Sequence, residues 1–266
     1  MSEREGYDPG VPCWVEAIEP DPAAAAAFYS GLLGWELERR GDYVVARLRG
    51  RDVAGIAPLP LGVDPPPAPG WHTHVRVVSA DRAAEQVLAA GGSVVAAAFD
   101  VAPAGRMAVL ADPAGGAFCA WEPGLRHGAG LVNEPGAWSM SRLDTPDPDR
   151  AAAFYADVFG WTTESFDLGD ATITMFRLPG YVGGEPGQPV SREVVATMAP
   201  APAGAPAAWA ADFWVGDMDR AVAAAGPLGG ALVQAPVDIG IGRSAVLADP
   251  AGATFSLTQI GPPAAG

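Results

Sequence analysis

Apolar positions along the chain switch repeatedly between strand-like and helix-like spacing. A run with strand character at Trp14-Val15-Glu16 leads through a turn to Asp21. From there the period becomes helical, with Ala25, Phe28, Tyr29 and Leu32 on one face, which predicts a helix whose apolar side packs on a sheet. Asp21 is placed to cap that helix, Pro22 occupies its first turn, and Gly34 can supply the left-handed residue that stops it. Three short runs of strand character follow, Trp35 to Glu38, Tyr43 to Leu48 and Val53 to Ala57. The unit predicted is βαβββ.

The unit recurs. Asp21-Pro22 through Phe28-Tyr29 to Gly34-Trp35 returns 126 positions later as Asp147-Pro148 through Phe154-Tyr155 to Gly160-Trp161. Gly105-Arg106 and Val109 to Gly115 return 137 positions on as Gly242-Arg243 and Val246 to Gly252, and Asp81-Arg82-Ala83 returns as Asp219-Arg220-Ala221. The offset grows because the second copy carries a Gly/Pro-rich insertion near Pro179 to Pro189, read as a flexible loop and a candidate lid at Gly183-Gly184. A fainter repeat at an offset of 60 relates Trp14-Val15-Glu16 and Asp21 to His74-Val75-Arg76 and Asp81. The chain therefore holds four modules in two tandem domains, 8–124 and 137–262, joined by a linker at 125–136 inside a stretch rich in glycine and polar residues.

Paired βαβββ modules, a helix ending in Phe-Tyr and then Gly-Trp, and a closing Asp-Pro-Ala-Gly strand resemble the vicinal oxygen chelate superfamily, the glyoxalase/bleomycin-resistance/dioxygenase fold. The likeness runs from about Val11 to Ile260. It implies an α+β chain in which two modules form a curved mixed sheet, a cup with helices on its convex face and a metal or small molecule on its concave one. The superfamily draws metal ligands from the first and last strands of each module. The first-strand positions here are Trp14, His74, Met140 and Asp212, and the last-strand positions of the second modules are Cys119 and Ser256. Val53 to Pro60 and Val194 to Pro202 hold no carboxylate or histidine. A catalytic zinc or iron takes about three protein ligands, so no metal and no other cofactor is expected.

Residues two apart share a strand face. The concave set of the first domain is then Trp14, Glu16, His74, Arg76, Cys119 and Trp121, and that of the second is Met140, Arg142, Asp212, Trp214, Ser256 and Thr258. The copies agree in helices and turns and disagree at all of these positions, as expected of a kept framework with retuned cups. Glu16, His74 and Arg76 form the candidate catalytic set: an imidazole serving as general base beside a carboxylate, with a guanidinium to polarise a carbonyl. Trp14, Cys119, Trp121, Met140, Arg142, Asp212, Trp214 and Ser256 are candidate ligand contacts. Plainer readings stand beside these: the tryptophans as core, His74 as a satisfied structural histidine, Arg142 paired with Asp212, and Cys119 as a quiet buried thiol lacking a base. His72 and His127 give no signal, and Arg106 and Arg243, present in both copies, read as structural.

Composition narrows the partners. An apolar fraction of 49% over 266 residues supports two sizeable cores. The net charge of −15, with all 16 basic residues arginine, argues against nucleic acid. Two cysteines, Cys13 and Cys119, exclude a disulfide framework. No apolar run is long enough for a membrane span, so the cytoplasm is the expected compartment, as monomer or homodimer. The leading expectation is metal-independent handling of a small apolar or aromatic molecule by an isomerase, cyclase or lyase of secondary metabolism. A sequestering antibiotic-resistance protein and a metal-dependent glyoxalase, dioxygenase or hydroxylase are the alternatives.

Overall fold

The computed structural model describes residues 2–60, 68–168, 171–183 and 191–261. The first half runs β1 (Pro12–Glu19), α1 (Pro22–Leu33), β2 (Glu36–Arg40), β3 (Tyr43–Leu48), β4 (Arg51–Pro58), β5 (Gly70–Arg76), α2 (Ala80–Ala89), β6 (Ser93–Val101), β7 (Gly105–Ala111) and β8 (Ala117–Pro123). The second repeats it as β9 (Trp138–Thr145), α3 (Pro148–Phe159), β10 (Thr162–Leu168), β11 (Ala171–Arg177), β12 (Val194–Pro200), β13 (Ala208–Trp214), α4 (Met218–Ala225), β14 (Ala231–Asp238), β15 (Gly242–Ala248) and β16 (Thr254–Ile260). This is the βαβββ unit four times over, in two tandem domains. Each half forms one eight-stranded mixed sheet, ordered β2-β3-β4-β1-β5-β8-β7-β6 and β10-β11-β12-β9-β13-β16-β15-β14. The first strands of paired modules, β1 with β5 and β9 with β13, meet antiparallel at the sheet centre.

Local chemistry sets the helix ends. Asp21 accepts from the backbone N–H groups of Ala23 and Ala24, both at 3.0 Å, and Gly34 closes α1 at φ 76°. Asp147 caps α3 through Arg150 N–H at 3.1 Å, and Gly160 closes it at φ 72°. An L-residue with a Cβ is disfavoured at such angles, which explains both glycines. At the α2 start Ser79 is the cap, and Asp81 sits in the first turn paired to Arg106.

The cores cross the domain boundary. The buried cluster around Phe28, Tyr29 and Trp35 of the first module includes Phe213, Leu247 and Phe255 of the fourth. Its counterpart joins Val75, Leu110 and Phe118 of the second module to Phe154, Tyr155 and Trp161 of the third. The helices pair across the boundary, α1 against α4 and α2 against α3, while the two sheets meet directly at β5 and β13. Tyr29 Oη donates to Asp249 Oδ2 at 3.0 Å and Tyr155 Oη to Asp112 Oδ2 at 3.2 Å. Both tyrosines accept from a tryptophan of their own domain, Trp71 at 2.9 Å and Trp209 at 3.0 Å. Trp35 Nε1 donates to Gly136 O at 2.6 Å and Trp161 Nε1 to Gly10 O at 2.8 Å. Asp112 and Asp249 each use the other carboxylate oxygen to hold the Asp-Pro-Ala-Gly turn, accepting from Ala114 and Gly116, and from Ala251 and Ala253, at 2.8–3.0 Å. The two most repetitive motifs of the sequence are therefore partners across a pseudo-two-fold axis.

Candidate functional site

The concave face of the first sheet gathers the titratable groups. On β1 and β5, Trp14 lies opposite His74 and Glu16 opposite His72, and on the parallel pair β5–β8, His74 lies opposite Cys119 and Arg76 opposite Trp121. The imidazole is the centre of the cluster. His74 is 3% exposed, Cys119 1% and Glu16 8%. His74 Nε2 stands 3.8 Å from Glu16 Oε1, an ion-pair distance too long for a hydrogen bond. Among the described residues neither ring nitrogen of His74 makes a hydrogen bond of standard geometry, although Glu16 and Cys119 lie near enough to act on it. A satisfied structural histidine would have one.

The electrostatics favour separated charge. Burial alone would raise Glu16, but the adjacent His74, with Tyr43 and His72, holds its carboxyl below the ordinary value. Burial would likewise depress His74, yet Cys119 and Glu16 together push it up to about 10. Burial would raise Cys119 too; the charges and hydrogen-bonding capacity of His74 and His72 outweigh it and bring the thiol down to about 7. Two sequence expectations change here. Cys119 has a basic neighbour, and His72 lies on the concave face beside Glu16, a placement that the alternation 72, 74, 76 already carried. Arg76 stands apart from the cluster: it is half-buried, and its charge is felt at Cys13.

The cup is roofed. Trp14 and Trp121 are buried, and the segment after β8 folds back over them. Arg126 places its guanidinium 5.0 Å from the Trp14 ring centre, and its carbonyl accepts from Trp121 Nε1 at 3.0 Å. Ala129 N–H donates to Cys13 O at 2.8 Å, and Tyr7 Oη donates to Ala129 O at 2.8 Å. The stretch expected as a linker is thus also a lid over the first cup. Cavities of about 210 and 490 Å³ lie elsewhere, under α3 and between α2 and α3, and their linings carry no buried titratable side chain.

The donor set does not suit a metal. Trp14 occupies one ligand position of the resemblance, and opposite Glu16 on β4 the residue is Gly55, where a Cβ would collide with the Tyr43 hydroxyl. Tyr43 fills that corner and accepts from Trp14 Nε1 at 3.1 Å. Among the described residues no three His, Cys, Asp or Glu side chains are placed to hold one ion.

The second cup is built differently. Arg142 does not pair with Asp212; it binds Asp144 on its own strand, through Nε and Nη2, both at 2.9 Å. The reason is register: 142 and 144 share a face of β9, while Asp212 lies opposite Met140. Asp212 instead accepts from Ser139 at 2.6 Å and Thr258 at 2.8 Å, opposite its β16 partner Ser256. Burial raises Asp212 to about 6 against the pull of those bonds and of Arg142. Met140 and Trp214 are half-buried, with Ser256 buried behind them. The candidate lid at Gly184 and the insertion up to Pro189 lie outside the described residues.

Comparison with known proteins agrees with this geometry. The Glyoxalase-like domain profile matches residues 14–121 and 141–258, one match per sheet. CFP32 of Mycobacterium tuberculosis (strain CDC 1551 / Oshkosh), provisionally named a glyoxylase, is 36% identical over 269 residues, covering 98% of this chain and 99% of its own. The anthracycline biosynthesis protein DnrV of Streptomyces peucetius is 34% identical over 270 residues, covering 96% and 94%. Among solved structures, the Mn(II)-bound glyoxalase of Novosphingobium aromaticivorans superposes with a TM-score of 0.64 at 17% identity, covering 94% of this chain and 82% of that one, a likeness of fold alone. The chain belongs to the Glyoxalase-like domain family, as a tandem double-domain member of the vicinal oxygen chelate fold.

Proposed function

We propose that the first cup binds a small, largely apolar or aromatic molecule and moves a proton on it without a resident metal, as an isomerase, cyclase or lyase of secondary metabolism. The observation that carries this reading is His74: a buried imidazole on the concave face with two unpartnered nitrogens, between a carboxylate and a thiol. Leaving such a group unpaired costs about 1–3 kcal/mol, which a ligand oxygen would recover. Glu16, ionised and acceptor-only, abstracts a proton from carbon beside a carbonyl. His74 donates to the developing enolate oxygen. Trp14 and Trp121 supply flat walls, and Arg126 swings off Trp14 to admit the ligand. Arg76 at the rim binds an anionic substituent. Two relatives named for anthracycline biosynthesis support an aromatic ligand, since anthracyclines are fused-ring aromatics.

Deuterium incorporation into 1-tetralone, an aromatic ketone with an enolisable carbon, tests the reading in D2O. The wild-type chain is expected to accelerate exchange, and Glu16→Gln or His74→Gln to lose about 100-fold of that acceleration while binding the ketone within about threefold. Exchange undiminished in both variants overturns it. Tight binding with no exchange in the wild type would instead indicate a sequestering protein.

A further inference from the structure

One group in the first cup has no part in proton transfer from carbon. Cys119 lies opposite His74 in register on the neighbouring parallel strand, 1% exposed and on the same face. His74 and His72 on β5 and Glu16 on β1 are the titratable groups that face it from that side; β7 presents apolar Val109 opposite Cys119, and Cys13 adds only a second thiol. A lone buried thiol would carry no argument, but the imidazole beside it is itself unpartnered, more than nine-tenths buried and directed into the same cup. A thiol next to an imidazole that a carboxylate flanks on the far side is the arrangement that generates a sulfur nucleophile and an adjacent acid.

We infer that Cys119 is a nucleophile toward electron-poor unsaturated carbonyl compounds, quinones or enones, with His74 as its proton donor. This rests on the preceding reading of the cup as an organic-molecule site and narrows its ligand class. In the step, the Cys119 Sγ electron pair forms a bond to the β-carbon of the acceptor, and the carbon–carbon π pair moves to give an enolate. The His74 proton is transferred to that enolate, leaving a thioether, a saturated carbonyl and a neutral imidazole. No oxidant is needed, and reversal by the same groups releases the acceptor, so the adduct can serve turnover or capture.

Cys13 is an internal control. It is equally buried, but burial pushes its thiol far up and nothing beside it brings it back into the neutral range. The full-length chain treated with N-ethylmaleimide in the native state is expected to gain one adduct, at Cys119 and not at Cys13, with a pH midpoint near 7. Cys119→Ser should abolish it. His74→Gln should move the midpoint up toward the ordinary thiol value of about 8.5 and slow labelling at neutral pH by about tenfold. Thiolate ultraviolet absorbance of the wild type, with Cys119→Ser as the blank, gives the same midpoint without any reagent entering the cup, and decides the matter if His74→Gln does not fold. A native chain with no thiolate absorbance below pH 8 overturns the inference, as does a labelling midpoint that His74→Gln leaves unmoved. Tetralone exchange is assigned to Glu16 and His74, so its persistence in such a chain would leave the proton-transfer reading standing.

Discussion

Tyr29 and Tyr155 make the same bond in opposite directions across the molecule, and Trp35 and Trp161 repeat the pattern at its edges. On the other side of the same two sheets the symmetry is gone. Where the first cup has Glu16, His74 and Cys119 in mutual electrostatic contact, the second has Arg142 turned to Asp144 and Asp212 tied down by Ser139 and Thr258. Convex-face residues must satisfy partners in both domains at once, so a change there needs a compensating change elsewhere. Concave-face residues answer only to their own cup and its contents. The face that diverged is the one free of that double constraint.

The framework half of this comparison makes the strongest demand. Trp161→Ala and Trp35→Ala each remove a buried indole whose N–H bonds to backbone outside its own domain. Each should cost about 3–5 kcal/mol, and the two costs should agree within about 1 kcal/mol. Urea denaturation measures both; a large cost in only one would show that the two interfaces are not equivalent.

A smaller effect probes a break in the convex-face symmetry. Glu19, 1% exposed, lies against Asp249, while the matching position in the second half is Thr145. Burial and the Asp249 carboxylate raise Glu19 to about 8. A carboxyl raised in the folded state contributes stability that is complete below its unfolded value near 4.3 and is lost as pH climbs through about 8. Glu19→Gln should flatten that slope, making the chain more stable at pH 9 by on the order of 1–2 kcal/mol and changing little at pH 4. Parallel denaturation curves at the two pH values check it, and an unchanged slope would remove Glu19 as its source.

The smallest effect belongs to the second cup. Asp212, raised to about 6, likewise favours the folded state below its unfolded value and less so as pH rises through about 6. Asp212→Asn removes the buried charge but weakens the bonds from Ser139 and Thr258. The net change at pH 7 should stay within about 1 kcal/mol, with tetralone exchange unaffected. Loss of exchange in this variant would move the active cup to the second domain.

Much of this fold was legible because its signals are local. Asp21, Pro22 and Gly34 specify a helix by what their own backbones and side chains do within a few residues, and the repeat multiplies that evidence. Alternation placed Trp14, Glu16, His74, Cys119 and Trp121 on one face. The same alternation places His72 there too. Arg142 pairs with Asp144 rather than Asp212 because a pair two residues apart on one strand competes well with a pair across strands, and spacing alone does not rank them.

The sequence by itself determined four modules, their order and the face on which each chemistry-bearing residue sits, since caps, turns and period-two alternation are short-range properties. Only the tertiary structure decided that the first and fourth modules share a core, that residues after β8 roof the first cup, and that His74 lies between Glu16 and Cys119. Those outcomes depend on sheet curvature and on packing between segments more than a hundred residues apart, where the free energy is set by mutual burial rather than by any one segment's own preference.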